Sequence, residues 1–123
     1  MMRIIKFRLI KDNKIISTRE LKPNGIIDCP VDWDIACQFT GLLDKQGKEI
    51  YEGDIVNLKS QYETDEPIDT KSKVEFFDGS FRLDFHAMIL NRAVLEYFKS
   101  NWLIEVIGNI YENKNLLDNN SGK

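Results

Sequence analysis

The chain has 123 residues, of which 42% are hydrophobic and 30% are charged, so residues 1–123 are expected to form one globular domain rather than a disordered chain. Its formal net charge of −3 argues against a dedicated nucleic-acid binder, which usually carries a strongly basic face. The basic, interrupted N-terminus and the lack of any run of about 18 apolar residues predict neither a signal peptide nor a membrane-spanning helix. Two cysteines without a secretory signal, Cys29 and Cys37, favour the reducing cytoplasm.

The N-terminal segment predicts a β-hairpin. Polar and apolar residues alternate over Arg3–Lys11, which predicts a half-buried strand. Apolar residues such as Phe7 occupy one face of it, and the basic residues Lys6 and Arg8 occupy the other. The pair Asp12-Asn13 then predicts a tight turn, because Asx residues tolerate positive φ.

The next segments continue the β pattern. Alternation over Val31–Thr40 predicts a strand that buries Cys37 as a small hydrophobic residue. Asp44–Lys48 predicts a type I turn closed by a glycine, and Ile55–Leu58 predicts a further strand. The polar stretch Ser60–Ser72 has no periodicity and predicts an exposed, mobile loop.

A second hairpin is predicted over Lys73–Phe85, across the two-residue turn Asp78-Gly79. This turn fixes a register with an apolar face and, on the other face, two pairs of opposite charge. The predicted cross-strand pairs are Phe77 with Ser80, Phe76 with Phe81, Glu75 with Arg82, Val74 with Leu83 and Lys73 with Asp84.

The C-terminal third changes period. Apolar residues spaced three and four apart over Ala87–Lys99 predict an amphipathic helix. Trp102–Ile107 predicts a buried strand, Asn113 could cap a short last helix, and residues 119–123 look frayed. The predicted fold is therefore β-dominated α+β, with an antiparallel curved sheet or small SH3-like barrel, one amphipathic helix and a short C-terminal helix.

Three stretches combine turn and strand motifs densely: Gln38–Leu42, Asp44–Val56 and Ile104–Glu112. Together they resemble the YopX family of phage and prophage proteins, and the hairpin Val74–Phe81 matches a further element of the family pattern. The match spans nearly the whole chain. The resemblance implies a phage- or prophage-encoded protein that acts inside a bacterial host. It also implies self-association into a homo-oligomer, and it carries no catalytic residues to this chain.

The residues themselves supply no catalytic, cofactor or metal site. His86 has no partner that the sequence can place beside it, and Cys29 and Cys37 lack the C-x-x-C spacing of zinc sites. Four acidic residues of the second stretch could form a carboxylate pair for acid–base chemistry, but they are more often turn caps. They are Asp44, Glu49, Glu52 and Asp54.

The most basic stretch is the N-terminal hairpin, which could lie along a phosphate backbone. Its candidate nucleic-acid residues are Arg3, Lys6, Arg8, Lys11 and Lys14. The alternative interpretation is a solvated sheet edge, where cationic side chains discourage aggregation.

The leading functional expectation is a non-enzymatic accessory protein that binds itself or an unknown host or phage protein, with no membrane partner. A nucleic-acid-binding module comes second, since nucleic acid is possible as a partner but is not favoured. An unrecognised enzyme, built around Asp44–Asp54 or His86, comes third.

Overall fold

The computed structural model describes residues 5–59, 69–77, 80–84 and 103–117. Within these ranges the chain forms eight strands in two antiparallel sheets, with strand orders β2-β1-β3-β4 and β7-β6-β5-β8. A β-dominated antiparallel fold is therefore confirmed, whereas a closed SH3-like barrel is not, because neither strand order closes on itself. The strands are β1 (Lys6–Lys11), β2 (Lys14–Glu20), β3 (Ile35–Leu43), β4 (Glu49–Tyr51), β5 (Asp54–Lys59), β6 (Asp69–Phe77), β7 (Ser80–Asp84) and β8 (Leu103–Asn109).

Strand β1 lies inside the first sheet, between β2 and β3. The turn that joins it to β2 is the predicted one, since Asp12 and Asn13 have φ values of 51° and 62°. Two consecutive residues of β1, Leu9 and Ile10, are both buried, so both faces of the strand are covered. The expectation of a solvated edge is therefore wrong for Lys6 and Arg8, which lie on an internal strand.

Strand β3 begins later than predicted. Its pairing with β1 starts at Ile35, opposite Ile10, because β1 turns away two residues later at Asp12. Asp34 still donates its N–H to the Ile10 carbonyl at 2.8 Å, but the strand does not extend back to Val31, which is 54% exposed. The predicted burial of Cys37 is confirmed.

The second sheet contains the predicted hairpin in the predicted register. All five cross-strand pairs between β6 and β7 are as expected, and the rings of Phe76 and Phe81 meet edge to face at 5.1 Å. Strand β6 nevertheless starts at Asp69, so the predicted loop is wrong for residues 69–72. Ser72 is fully buried opposite Val56. The buried core between the sheets contains Ile50, Val56, Leu58, Val74, Leu83 and Ile104.

Several expectations fall outside the described ranges: Arg3, residues 60–68, the turn Asp78-Gly79, His86, the helix Ala87–Lys99 and the tail 119–123. At the C-terminal end residues 115–117 are helical. The side chain of Asn113 turns back to accept the N–H of Asn109, and its backbone carbonyl accepts the N–H of Leu116 at 3.1 Å. In the part of the chain that the structure describes, no helix is long and apolar enough to cross a membrane.

Candidate functional site

The turn Glu52-Gly53 links the two sheets through backbone hydrogen bonds. Glu52 N–H donates to the carbonyl of Gln38 in the first sheet at 2.9 Å, and Gly53 N–H donates to that of Val74 in the second at 2.8 Å. Gly53 has φ of +88°, and a Cβ there would lie 3.1 Å from the Tyr111 ring. Glycine is therefore required at this junction by both conformation and space.

Asp44 makes a second connection between the sheets. Its Oδ1 accepts the N–H groups of Gln46 at 2.8 Å and Lys48 at 2.9 Å, which closes its own turn. Its Oδ2 accepts the N–H of Val106 on β8 at 2.8 Å. Burial raises the pKa of Asp44, but these backbone N–H groups outweigh burial and hold the pKa below its ordinary value. The turn-cap interpretation is confirmed for this residue.

Asp54 is the most buried charge of the described chain, with 0% exposure. Its Oδ1 accepts Arg8 Nη1 at 2.5 Å, and its Oδ2 accepts the Tyr51 N–H at 2.8 Å. The Arg8 guanidinium carbon lies 4.1 Å from the centroid of the Tyr51 ring, a cation–π contact. Burial raises the pKa of Asp54 above its ordinary value, and Arg8 offsets only part of that shift. Asp54 is thus both a turn cap and an ion-pair partner.

Glu49 continues this network outward. Its Oε1 accepts the Tyr51 hydroxyl at 2.9 Å, and its Oε2 accepts Lys6 Nζ. The Lys6 ammonium holds the pKa of Glu49 below its ordinary value, while burial raises the pKa of Tyr51. The ammonium also lies 5.2 Å from the centroid of the Phe39 ring. Two basic residues of β1 are therefore neutralised by two acidic residues more than 40 positions away along the chain.

A cleft of about 420 Å³ lies between the two sheets, and Arg8, Glu49 and Asp54 form part of its lining. We call it the inter-sheet cleft. Its opposite wall comes from β8 and the turn after it. There Glu112 Oε2 accepts the Ile15 N–H at 2.9 Å, and Glu112 Oε1 accepts Asn109 Nδ2 at 3.0 Å. The cleft is lined by Arg8, Ile15, Thr18, Lys48, Glu49, Tyr51, Asp54, Val106, Ile107, Gly108, Asn109, Glu112 and Asn113.

Gly108 makes room for this wall. A Cβ at this position would lie 2.6 Å from Asn113 Oδ1, the oxygen that accepts the Asn109 N–H. The absence of a side chain at Gly108 is thus explained by this close approach of backbone and side chain. The turn after Gly108 places Glu112 within hydrogen-bond distance of the Ile15 N–H on β2.

The basic candidate residues are separated by the fold. Arg8 lines the inter-sheet cleft in an ion pair with Asp54, and Lys6 forms an ion pair with Glu49 of the lining. Lys11 and Lys14 instead lie opposite each other at the tip of the first hairpin. Both cysteines are free thiols, and Cys37 Sγ lies 3.6 Å from the Tyr111 hydroxyl. Among the described residues no three potential metal ligands cluster.

Sequence reasoning did not single out several residues of the cleft, in particular Thr18, Lys48, Tyr51, Asn109 and Glu112. Tyr51 and Glu112 do lie in the stretches that carry the family resemblance. Those stretches are far apart in the chain, and no local pattern indicates that they share one cleft. The pairing of β5 with β8 brings these stretches together.

The comparisons with known proteins agree with the fold. No curated protein matches this chain. A crystal structure of protein EF1440 from Enterococcus faecalis is similar, with 26% sequence identity and a TM-score of 0.54, and the alignment covers 94% of this chain and 99% of that one. The family model described as YopX protein matches residues 4–118. The chain therefore belongs to the YopX family.

Proposed function

We propose that the chain is a non-enzymatic accessory protein, encoded by a phage or prophage, that acts in the cytoplasm of a bacterial host through protein–protein contacts. The first partner we propose is a second copy of the chain. The observation that carries this proposal is a set of exposed apolar side chains within one 20-residue stretch: Ile16 at 39%, Ile26 at 57%, Val31 at 54% and Ile35 at 41% exposure.

The position of this stretch supports an interface. Ile16 is the extra residue of a β-bulge in β2, because Ile15 and Ser17 pair with consecutive residues of β1. Strand β2 is the outer strand of its sheet in the described part of the chain. Strand β3, which begins at Ile35, flanks β1 on its other side. Exposed apolar side chains that form a patch are typical of protein interaction sites.

The contacts of three acidic residues, Asp44, Glu49 and Asp54, support a non-enzymatic role. Asp44 and Asp54 accept backbone N–H groups, and Glu49 and Asp54 are paired with Lys6 and Arg8. General acid–base chemistry needs a carboxyl group whose proton can move to or from a substrate. Asp44 and Asp54 instead bind groups on the opposite sheet, and Glu49 binds Lys6 within the first sheet.

Sedimentation velocity over a wide range of protein concentrations tests the proposal. The wild type should associate, and the double variant Ile26→Ser, Val31→Ser should shift towards monomer. Leu43→Ser is the matched control, since Leu43 is 49% exposed but lies outside the apolar stretch. The proposal would be contradicted by a wild type that stays monomeric. It would also be contradicted if Leu43→Ser shifted the association as much as the double variant does.

One observation favours nucleic-acid binding as a second candidate function. Lys11 and Lys14 face each other across the hairpin, and neither forms an ion pair with any residue of the described ranges. Two adjacent cations could contact phosphate groups, and such binding weakens steeply with salt. Charge reversal of both lysines should abolish salt-dependent retention on single- or double-stranded DNA, whereas Lys59→Glu on the other sheet should not. Equal retention of both variants would exclude the hairpin as the contact.

A further inference from the structure

We propose that the inter-sheet cleft binds a small molecule that carries a carboxylate or phosphate group, and that Arg8 is its principal contact. This proposal concerns a surface distinct from the apolar stretch and does not depend on self-association.

The guanidinium of Arg8 is held in place, but most of its N–H donors have no acceptor within the described chain. Asp54 binds it through Nη1, and the Tyr51 ring packs against it. A guanidinium has five N–H donors, and within the described chain its hydrogen bond to Asp54 is the one it makes. Its side chain keeps 18% exposure and lines the cleft. The remaining donors are therefore available to an oxyanion, for which this planar fork is well suited.

The charges around the cleft balance: Lys6 and Arg8 pair with Glu49 and Asp54, and Lys48 then stands against Glu112. Lys48 adds a second cation to the lining, and no carboxylate of the described residues forms an ion pair with it. The lining carboxylates already have donors: Glu49 has Lys6, and Glu112 has the Ile15 N–H. An incoming oxyanion would thus meet unsatisfied donors on Arg8 and Lys48.

The size and the walls of the cleft limit the ligand. A volume of about 420 Å³ falls in the usual range of small-molecule sites, roughly 300–1,000 Å³. Ile15, Val106 and Ile107 give the wall an apolar portion. We therefore expect a compact ligand with an anionic group at one end and a ring or hydrocarbon portion at the other.

Titrations followed by ¹H–¹⁵N NMR test this proposal, with inorganic phosphate, succinate and adenosine monophosphate as separate probes at constant ionic strength. The amides of Thr18, Gly108 and Asn109 should shift and saturate. A response to succinate alone would assign a carboxylate ligand, and a response to the phosphate probes alone would assign a phosphate ligand. Absence of saturable shifts with every probe would overturn the proposal.

Two variants give the titration a structural control. Lys48→Gln should weaken binding about two- to fivefold, the effect of losing one exposed ion pair. Lys59→Gln removes an exposed lysine outside the cleft and should leave the affinity unchanged. Arg8→Lys should abolish binding. Arg8→Lys could also unfold the protein, so the deciding test is the comparison of Lys48→Gln with Lys59→Gln. Equal ligand affinities of these two variants would refute the site.

Discussion

Asp54→Asn perturbs the most buried ion pair of the chain while changing few atoms. The asparagine keeps an oxygen that can accept the Tyr51 N–H, but it cannot neutralise the Arg8 guanidinium. Removing one partner of a buried ion pair costs about 3–5 kcal/mol of unfolding free energy. Since the Arg8 side chain keeps 18% exposure, solvent screens part of the lone charge, and we expect the lower end, about 3 kcal/mol.

The reverse perturbation, Arg8→Met, should lower the free energy of unfolding by less than Asp54→Asn does. The size of this loss should depend on pH. Burial already raises the pKa of Asp54, and without Arg8 the carboxyl group takes up a proton more readily. A carboxyl group whose folded pKa is raised contributes stability below its unfolded pKa of 3.8, and this contribution is lost as pH rises through the folded pKa. The deficit of Arg8→Met relative to wild type should therefore grow as pH rises above the folded pKa that Asp54 has in wild type, which itself lies above 3.8.

The double variant Arg8→Met, Asp54→Asn removes both charges, so its destabilisation should be smaller than the sum of the two single effects. Urea denaturation of all four proteins should give a coupling energy of about 2 kcal/mol. The same cycle on Lys22 and Asp28, whose side chains are 51% and 67% exposed, should give no measurable coupling. Additivity within about 0.5 kcal/mol at Arg8 and Asp54 would refute the reasoning.

Three further perturbations test other parts of the fold. Gly108→Ala should destabilise the chain by about 1–3 kcal/mol in urea titrations, because the new Cβ would displace the Asn113 side chain. Asp44→Asn should make the free energy of unfolding less dependent on pH, as measured by acid titrations followed by circular dichroism. The lowered pKa of Asp44 gives wild type stability that is lost as pH falls through the folded pKa, below 3.8. Leu83→Ala should lower the thermal midpoint and cost about 2–5 kcal/mol, because the side chain is fully buried.

Turn chemistry made parts of the fold predictable from sequence. At Asp12-Asn13 both residues accept positive φ, and a two-residue turn leaves one register for its strands. The hairpin of β6 and β7 followed the same logic, because a slip of one residue would have moved Val74 and Phe81 off the apolar face. Such predictions succeed because the information lies within a few residues.

The errors arose where burial depends on distant partners. Alternation in β1 separated two faces, but it could not show that the face of Lys6 and Arg8 is also covered. The residues that neutralise these cations are about 45 positions away, with no local signal for the pairing. Residues 69–72 looked like a loop for the same reason, since Ser72 is buried by the neighbouring strand and not by its own hydrophobicity.

The contacts that join the two sheets also explain why the family resemblance carries so little functional information. Asp44, Gly53 and Gly108 each have a local structural reason: a backbone N–H across the sheets, a left-handed turn or a close approach. Residues of this kind identify the fold in any member that joins its sheets in this way, whatever that member binds. Function must then be sought at positions that the junction does not need for folding, and within the inter-sheet cleft Lys48 meets that condition most clearly. Lys48 lines the cleft, and the hydrogen bond from its backbone N–H to Asp44 would survive substitution of the side chain.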